Sequence, residues 1–191
     1  MNTENSTPYN QDPEFKISLL RPKYLPTWLG MGLIYLCKFL PYKVLIFMGT
    51  ILGQLLYLIS PHRKQIAKAN MQLCFPDKNQ IEIHNLVKGH FQNMGIGVFE
   101  IAIGWWSSDK TIENLKQSTS NLDIFEKLNE ETGVLILIKH STHVELDIRF
   151  MAKELELGGM YKPQSNEVMN YLMIRARNKY VTGAIHNHQA K

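Results

Sequence analysis

The pattern of apolar and polar positions changes character along this chain. Two long apolar stretches, 28–40 and 44–59, come first and are separated by Pro41. A long helix is then predicted from Ile81 to about Trp106, with Asp77 as its N-cap. After residue 111, short apolar runs alternate with helical spacing, which is typical of a mainly parallel sheet with covering helices.

The run from Val134 to Ile138 is predicted to be the central strand of that sheet, because it is apolar throughout and rich in β-branched residues. Thr142 and Glu145 form a capping-box pattern, which predicts a helix from Thr142 to about residue 155. His140 then follows the carboxyl end of a buried strand, where α/β sheets bind ligands. Further strands are predicted at 112–116 and 158–161, and further helices at 122–130 and 167–178.

Two acid–base pairs are predicted at this turn. His140 and Glu145 are five positions apart across it, and His143 and Asp147 are four apart on one helix face. A histidine oriented by a carboxylate is the usual device for removing a proton from a hydroxyl. Two other interpretations stay open, in which Glu145 only caps the helix and His143 with Asp147 is a surface pair. No metal site is predicted, since neither an H-E-x-x-H helix nor a Cys/His ligand set is present.

Composition narrows the class of protein only slightly. The 191 residues are 45% hydrophobic and 20% charged, with a net charge of +4, which suits one globular domain. This mild basicity fits a phosphate-bearing partner or an anionic membrane, and no motif indicates a nucleic-acid partner. Cys37 and Cys74 lie in apolar surroundings, which predicts reduced core thiols in a cytosolic compartment.

The amino-terminal part divides into a predicted disordered tail, 1–15, and a predicted membrane-anchoring helical region, 16–60. No secretory signal is predicted at the terminus. Each apolar stretch is shorter than the ~20 residues that span a bilayer, so spanning and in-plane anchoring both stay open, as does a role as buried core helices. The basic cluster that follows suits anionic head groups; it comprises His62, Arg63, Lys64 and Lys68.

Four glycines interrupt the long helix predicted from Ile81 to Trp106. A glycine in an exposed helix interior costs up to about 1 kcal/mol relative to alanine. Close packing of another backbone or of an acyl chain would explain them, and close helix packing is the preferred interpretation. These glycines are Gly89, Gly95, Gly97 and Gly104.

Four blocks of sequence, taken in order, resemble the late acyltransferases of lipid A biosynthesis, within the H-x4-D/E glycerolipid acyltransferases. Residues 140–145 read HSTHVE, the Glu form of the H-x4-D/E motif. Residues 20–30 read LRPKYLPTWLG and residues 70–76 read NMQLCFP, which is similar to the family's N-x-x-L-C-F-P block. Residues 161–163 read YKP, which resembles its Y-R-P turn.

The resemblance implies transfer of a fatty acyl group from acyl carrier protein to a hydroxyl of a lipid A precursor, without cofactor or metal. His140 would be the general base and Glu145 its partner, at the cytoplasmic face of the inner membrane. Arg149, Arg175 and Arg177 would bind phosphates of the substrates, and the segment match does not decide between Arg175 and Arg177 as the family's functional arginine.

The domain predicted for 61–191 is an α/β acyltransferase domain that is truncated at its carboxyl end. Family members continue well past residue 191, so the resemblance implies an incomplete sheet with an exposed edge. An alternative from another class of function therefore stays open. In that alternative the chain is an inactive, membrane-associated remnant that binds only lipid or a partner.

Overall fold

Helices dominate the structure, a computed structural model that describes residues 13–115, 118, 120, 127 and 133–186. Two 3₁₀ turns, Ile17–Leu20 and Pro22–Tyr24, precede the first helix. The seven helices with bounds inside the described residues are α1 Leu25–Cys37, α2 Tyr42–Ile59, α3 Pro61–Cys74, α4 Gln80–Trp106, α5 Asp109–Leu115, α6 Val144–Glu154 and α7 Glu167–Arg177. Two strands are described, β1 Gly158–Tyr161 and β2 Gly183–His186.

The helix α4 is the element around which the others pack. It begins at a complete capping box, in which the Asn79 side chain accepts from the backbone of Ile81 and Glu82 while Glu82 accepts from the Asn79 backbone. The predicted N-cap, Asp77, is therefore displaced by two residues. Along its length α4 contacts α1, α2, α3, α6 and α7.

Glycines bring α2 and α4 into backbone contact. Gly49 and Gly53 on α2 face Phe91, Gly95 and Ile96 on α4, and a side chain at any of the three glycines would collide with the opposite backbone. The preferred interpretation of the glycines in the long helix, close helix packing, is confirmed for Gly95. Because these glycines lack side chains, the axes of α2 and α4 can approach each other closely. The packing contact that results offsets the local destabilisation of α4 by its glycines.

The amino-terminal helices share a core with the rest of the chain. Met31 of α1 packs with Trp105 of α4 and with Met173 and Ala176 of α7 in one buried cluster. The outward faces of α1 and α2 remain apolar and exposed. Among the described residues, α2 is the one helix that is long and apolar enough to cross a membrane. The predicted disordered tail lies mostly outside the described residues.

The predicted fold class, a mainly parallel sheet with covering helices, is wrong for the part of the chain that the structure describes. The sheet consists of β1 and β2 alone, paired in parallel with Gly158 opposite Gly183. Residues 133–141 form no strand, and Leu135 and Leu137 are 88% and 90% exposed. The apolar run therefore lacks what a buried strand requires, which is paired neighbours and a covering layer.

Several local predictions are also corrected. Residues 112–115 of the segment predicted as a strand at 112–116 belong to the helix α5, and residue 116 lies outside the described residues. The helix α6 begins at Val144, with His143 as an N-cap that makes no side-chain cap bond, so the capping box predicted at Thr142 does not form. Cys37 is buried as predicted, whereas Cys74 is exposed. The helix predicted at 122–130 lies outside the described residues, while the strand at 158–161 and the helix at 167–178 are confirmed as β1 and α7.

Candidate active site

One face of α4 holds the turn that carries the H-x4-E motif. A side-chain carbon at Gly97 would lie 2.5 Å from the Thr142 carbonyl oxygen, and one at Gly104 would lie 2.9 Å from the Glu145 carbonyl oxygen. These positions lie seven apart, two turns along the helix. Two of the four glycines therefore allow the backbone of residues 142–145 to lie directly on α4.

Glu145 is the best-anchored side chain of this turn. Its Oε2 accepts from the Trp105 indole N–H at 2.7 Å and from Nε of Arg177 at 3.2 Å. Its Oε1 accepts from the second guanidinium nitrogen of Arg177. The two charged side chains are only 14% and 18% exposed, so the bidentate pair is largely desolvated. Three elements, α4, α6 and α7, thus converge on one carboxylate.

His140 is not brought together with Glu145. Its side chain is exposed, and no hydrogen bond joins these two described residues. The reason is local geometry, because the Glu145 carboxylate is directed towards Trp105 and Arg177. The structure therefore places the two predicted catalytic residues on one short turn but does not pair them.

His143 has a different partner from the predicted Asp147. Its Nδ1 bonds to Oε2 of Glu100 on α4, and Oε1 of Glu100 accepts from the Tyr42 hydroxyl at 2.6 Å. Glu100 is 2% exposed. Asp147 instead accepts from the Ser141 hydroxyl at 3.1 Å. The predicted helix-face pair between His143 and Asp147 is therefore wrong.

The three predicted substrate-binding arginines occupy different settings. Arg149 is buried, pairs with Asp109 and lies with its guanidinium carbon 4.6 Å from the centroid of the Tyr180 ring. Burial raises the pKa of the Tyr180 hydroxyl. Arg175 is exposed and donates to the Tyr171 hydroxyl at 2.6 Å. Only Arg177, already described with Glu145, reaches the H-x4-E turn.

An open cavity of about 360 Å³ adjoins Arg177. Its lining is mostly apolar and comes from the extended segment 134–138, from α6 and from β1. Glu156 and Arg177 contribute the charged lining. The site thus combines an ion pair with an apolar cavity. Within the described residues no three His, Cys, Asp or Glu side chains come close enough to hold a metal ion.

The sequence patterns did not single out three residues of this site. Glu100 and Trp105 lie on α4, and Tyr42 begins α2. Glu100 did carry a signal, because it is a lone carboxylate in the strongly apolar stretch 94–106 of α4 and such groups are buried only with partners. Trp105 and Tyr42 carried none, since an aromatic residue in an apolar helix is most simply a core residue.

The sequence relationship of this chain to known proteins is extensive. The family model described as bacterial lipid A biosynthesis acyltransferase matches residues 12–191. The chain belongs to this family. Residues 140–145, which carry the H-x4-E pattern, lie within the matched region. The identification rests on sequence, since no solved structure matches the fold.

Curated relatives of this acyltransferase family carry consistent names. The lipid A biosynthesis lauroyltransferase of Escherichia coli (strain K12) is 30% identical over 165 residues, which cover 86% of this chain and 54% of the relative. The palmitoleoyltransferase of the same strain is 29% identical over 174 residues, which cover 89% and 56%. A lipid A biosynthesis acyltransferase of Haemophilus influenzae is 28% identical, with coverage of 86% and 53%. The chain spans about half the length of these relatives.

Proposed function

We propose that the complete gene product transfers a fatty acyl group to a hydroxyl of a lipid A precursor, with acyl carrier protein as the donor. The observation that supports this proposal most directly is the Glu145–Arg177 ion pair, found in a chain of this family. It fixes the carboxylate of the H-x4-E motif beside an apolar cavity. An anchored carboxylate next to a cavity that suits an acyl chain is what acyl transfer at a membrane surface requires.

In this mechanism His140 removes the proton from the acceptor hydroxyl, whose oxygen attacks the thioester carbonyl carbon. The tetrahedral intermediate then collapses, the carbon–sulfur bond breaks, and the departing thiolate of the carrier takes the proton from His140 and leaves as the thiol. Glu145, held in place by Trp105 and Arg177, is the proposed carboxylate partner of the base, and His140 must turn towards it because no hydrogen bond joins these two described side chains. No acyl-enzyme is required, because the nucleophile belongs to the lipid. The positive end of the α6 dipole lies at this turn and favours the developing oxyanion.

We assign the other two predicted arginines more limited roles. The guanidinium of Arg149 pairs with Asp109 and lies over the ring of Tyr180, so we assign it a structural role near the site. Arg175 is exposed at the end of α7 and remains available to a phosphate group of either substrate. Arg177 is the arginine that acts at the motif itself.

We further propose that this reaction takes place at the cytoplasmic face of the inner membrane. Five of the seven exposed large apolar residues of α2 recur every three or four positions, which places these five along one side of the helix. The opposite side carries Gly49 and Gly53 and faces α4. This pattern suits lipid on one side and protein on the other. The stripe comprises Val44, Phe47, Ile51, Leu55 and Leu58.

The test is acyl transfer by membranes that contain the complete gene product, with an acyl-carrier thioester and a lipid A precursor as substrates. We expect His140→Ala to lower kcat by about 10²–10⁴-fold, the usual contribution of a general base. Glu145→Ala should approach that loss and Glu145→Asp should keep part of the activity. His84→Ala, which changes an exposed histidine far along α4, is the matched control. Wild-type membranes that transfer no acyl group would contradict the proposal.

A further inference from the structure

Glu100 is a buried carboxylate that the proposed mechanism does not use. It is 2% exposed and lies on α4 midway between the two glycines that contact the motif turn, Gly97 and Gly104. Its two oxygens accept from the Tyr42 hydroxyl and from the His143 ring. A carboxylate removed from water costs several kcal/mol unless positive charge and hydrogen bonds compensate it. A His143 ring that carries a proton on both nitrogens would supply that compensation and would leave Nε2 able to donate.

The bond to Glu100 fixes the orientation of the His143 ring. Nδ1 is committed to the buried carboxylate, and the ring as a whole remains 37% exposed. The other nitrogen, Nε2, is therefore the part of the ring that a ligand can reach. His143 is also the N-cap residue of α6, where the helix dipole is positive. The N–H groups of Val144, Leu146 and Asp147 already donate to backbone carbonyls. A donor fixed at this position lies near the positive end of the helix dipole, while Glu145 and Asp147 add negative charge to the same turn.

We propose that His143 donates a hydrogen bond from Nε2 to the oxyanion of the acyl-transfer intermediate, and that Glu100 and Tyr42 position it for that purpose. This inference rests on the proposed function. His140 and His143 then have separate roles, since the first takes the proton from the hydroxyl and the second stabilises the charge on the carbonyl oxygen. No proton leaves His143 during the step, so the ring is unchanged at the end of each turnover.

The test replaces His143 with Asn or with Gln, because the side-chain amide of each reproduces one nitrogen of the imidazole ring. In His143→Asn the amide nitrogen occupies the place of Nδ1, so the bond to Glu100 is kept and the outer donor is lost. In His143→Gln the amide reaches the place of Nε2. With membranes of the complete gene product, we expect Asn to lower kcat by about 10²–10³-fold, the effect of removing one oxyanion donor. We expect Gln, which keeps an outer donor but loses the bond to Glu100, to retain more of kcat than Asn, and KM for the thioester to change little in either variant.

A His143→Asn variant with wild-type kcat would overturn the inference, as would equal losses in Asn and Gln. The midpoints of thermal unfolding, measured in detergent, distinguish a loss of catalysis from a loss of folded protein. If His143→Asn lowers the midpoint, the double variant His143→Asn/Glu100→Gln removes the buried charge. A double variant with restored midpoint and low kcat supports the inference, and one with restored kcat refutes it. Wild-type membranes without transfer would instead refute the proposed function.

Discussion

Glu145 and Arg177 lie 32 positions apart in the chain and form a bidentate ion pair that joins α6 to α7. The indole N–H of Trp105 completes the coordination of the carboxylate. This relationship distinguishes two arginines that the sequence leaves equivalent. Arg175, two positions earlier on α7, is exposed and contacts Tyr171 instead.

Arg177→Ala is expected to reduce both stability and activity. Removing one partner of a buried pair leaves an uncompensated charge, and we expect a loss of about 3 kcal/mol, the lower end of the usual range, because both side chains retain some exposure. Thermal unfolding in detergent and the acyl-transfer assay measure the two effects. Arg175→Ala is the matched control for stability: it should leave the unfolding midpoint nearly unchanged and affect the assay only through KM, by the loss of a phosphate contact. An equal loss of stability in both variants would contradict the assignment of Arg177.

Gly104→Ala should displace the motif turn. The added methyl carbon would lie 2.9 Å from the Glu145 carbonyl oxygen, a backbone atom that cannot rotate away. We expect a loss of about 1–3 kcal/mol in stability, as for other overpacked sites, together with reduced activity. In Gly89→Ala nothing lies within 4 Å of the new carbon, so this control should gain up to about 1 kcal/mol. Equal behaviour of the two variants in thermal unfolding would contradict the proposed contact.

Trp105→Phe tests the donor on α4. The substitution keeps an aromatic ring in the buried cluster but removes the N–H that binds Glu145. Hydrogen bonds to charged groups are worth about 1.5–3 kcal/mol, and we expect a loss in that range from thermal unfolding. Trp106→Phe, at the neighbouring half-buried position, should cost less. A larger loss at Trp106 would show that ring packing dominates over the bond to Glu145.

Replacing the N-cap residue of α4 should lower stability without altering acyl transfer. Asn79→Ala should cost about 0.5–2 kcal/mol, because the first-turn N–H groups lose their acceptor. Asp77→Ala should cost little, although the sequence pattern favours Asp77 as the cap. Acyl transfer by folded protein should be unchanged in both. The opposite order of thermal midpoints would restore Asp77 as the cap.

The apolar stripe on α2 predicts how the protein associates with membranes. The protein should sediment with membranes, resist extraction by high salt and be released by detergent. Phe47→Asp together with Leu55→Asp places charges on the exposed side of α2 and should increase the soluble fraction. Thr50→Asp, a polar position on the same helix, is the control. Release of the unaltered protein by salt alone would exclude an apolar anchor.

The sequence by itself determined the family, the motif and most helix positions. Helices such as α2, α4 and α7 were predictable because their periodicity and breakers are local properties of the chain. The strand at Gly158–Tyr161 was predictable for the same reason. The run from Val134 to Ile138 led to the wrong prediction of a sheet-based fold. An apolar stretch indicates that burial is favourable, but it does not specify which elements will cover it.

Only the tertiary structure decided the partners of the site residues. Five positions separate His140 from Glu145, yet the carboxylate binds Trp105 and Arg177, 40 and 32 positions away. His143 likewise binds Glu100, 43 positions away, rather than Asp147. Spacing indicates which side chains can meet on one element. The choice among partners depends on desolvation and backbone approach, which arise only when α4, α6 and α7 pack together.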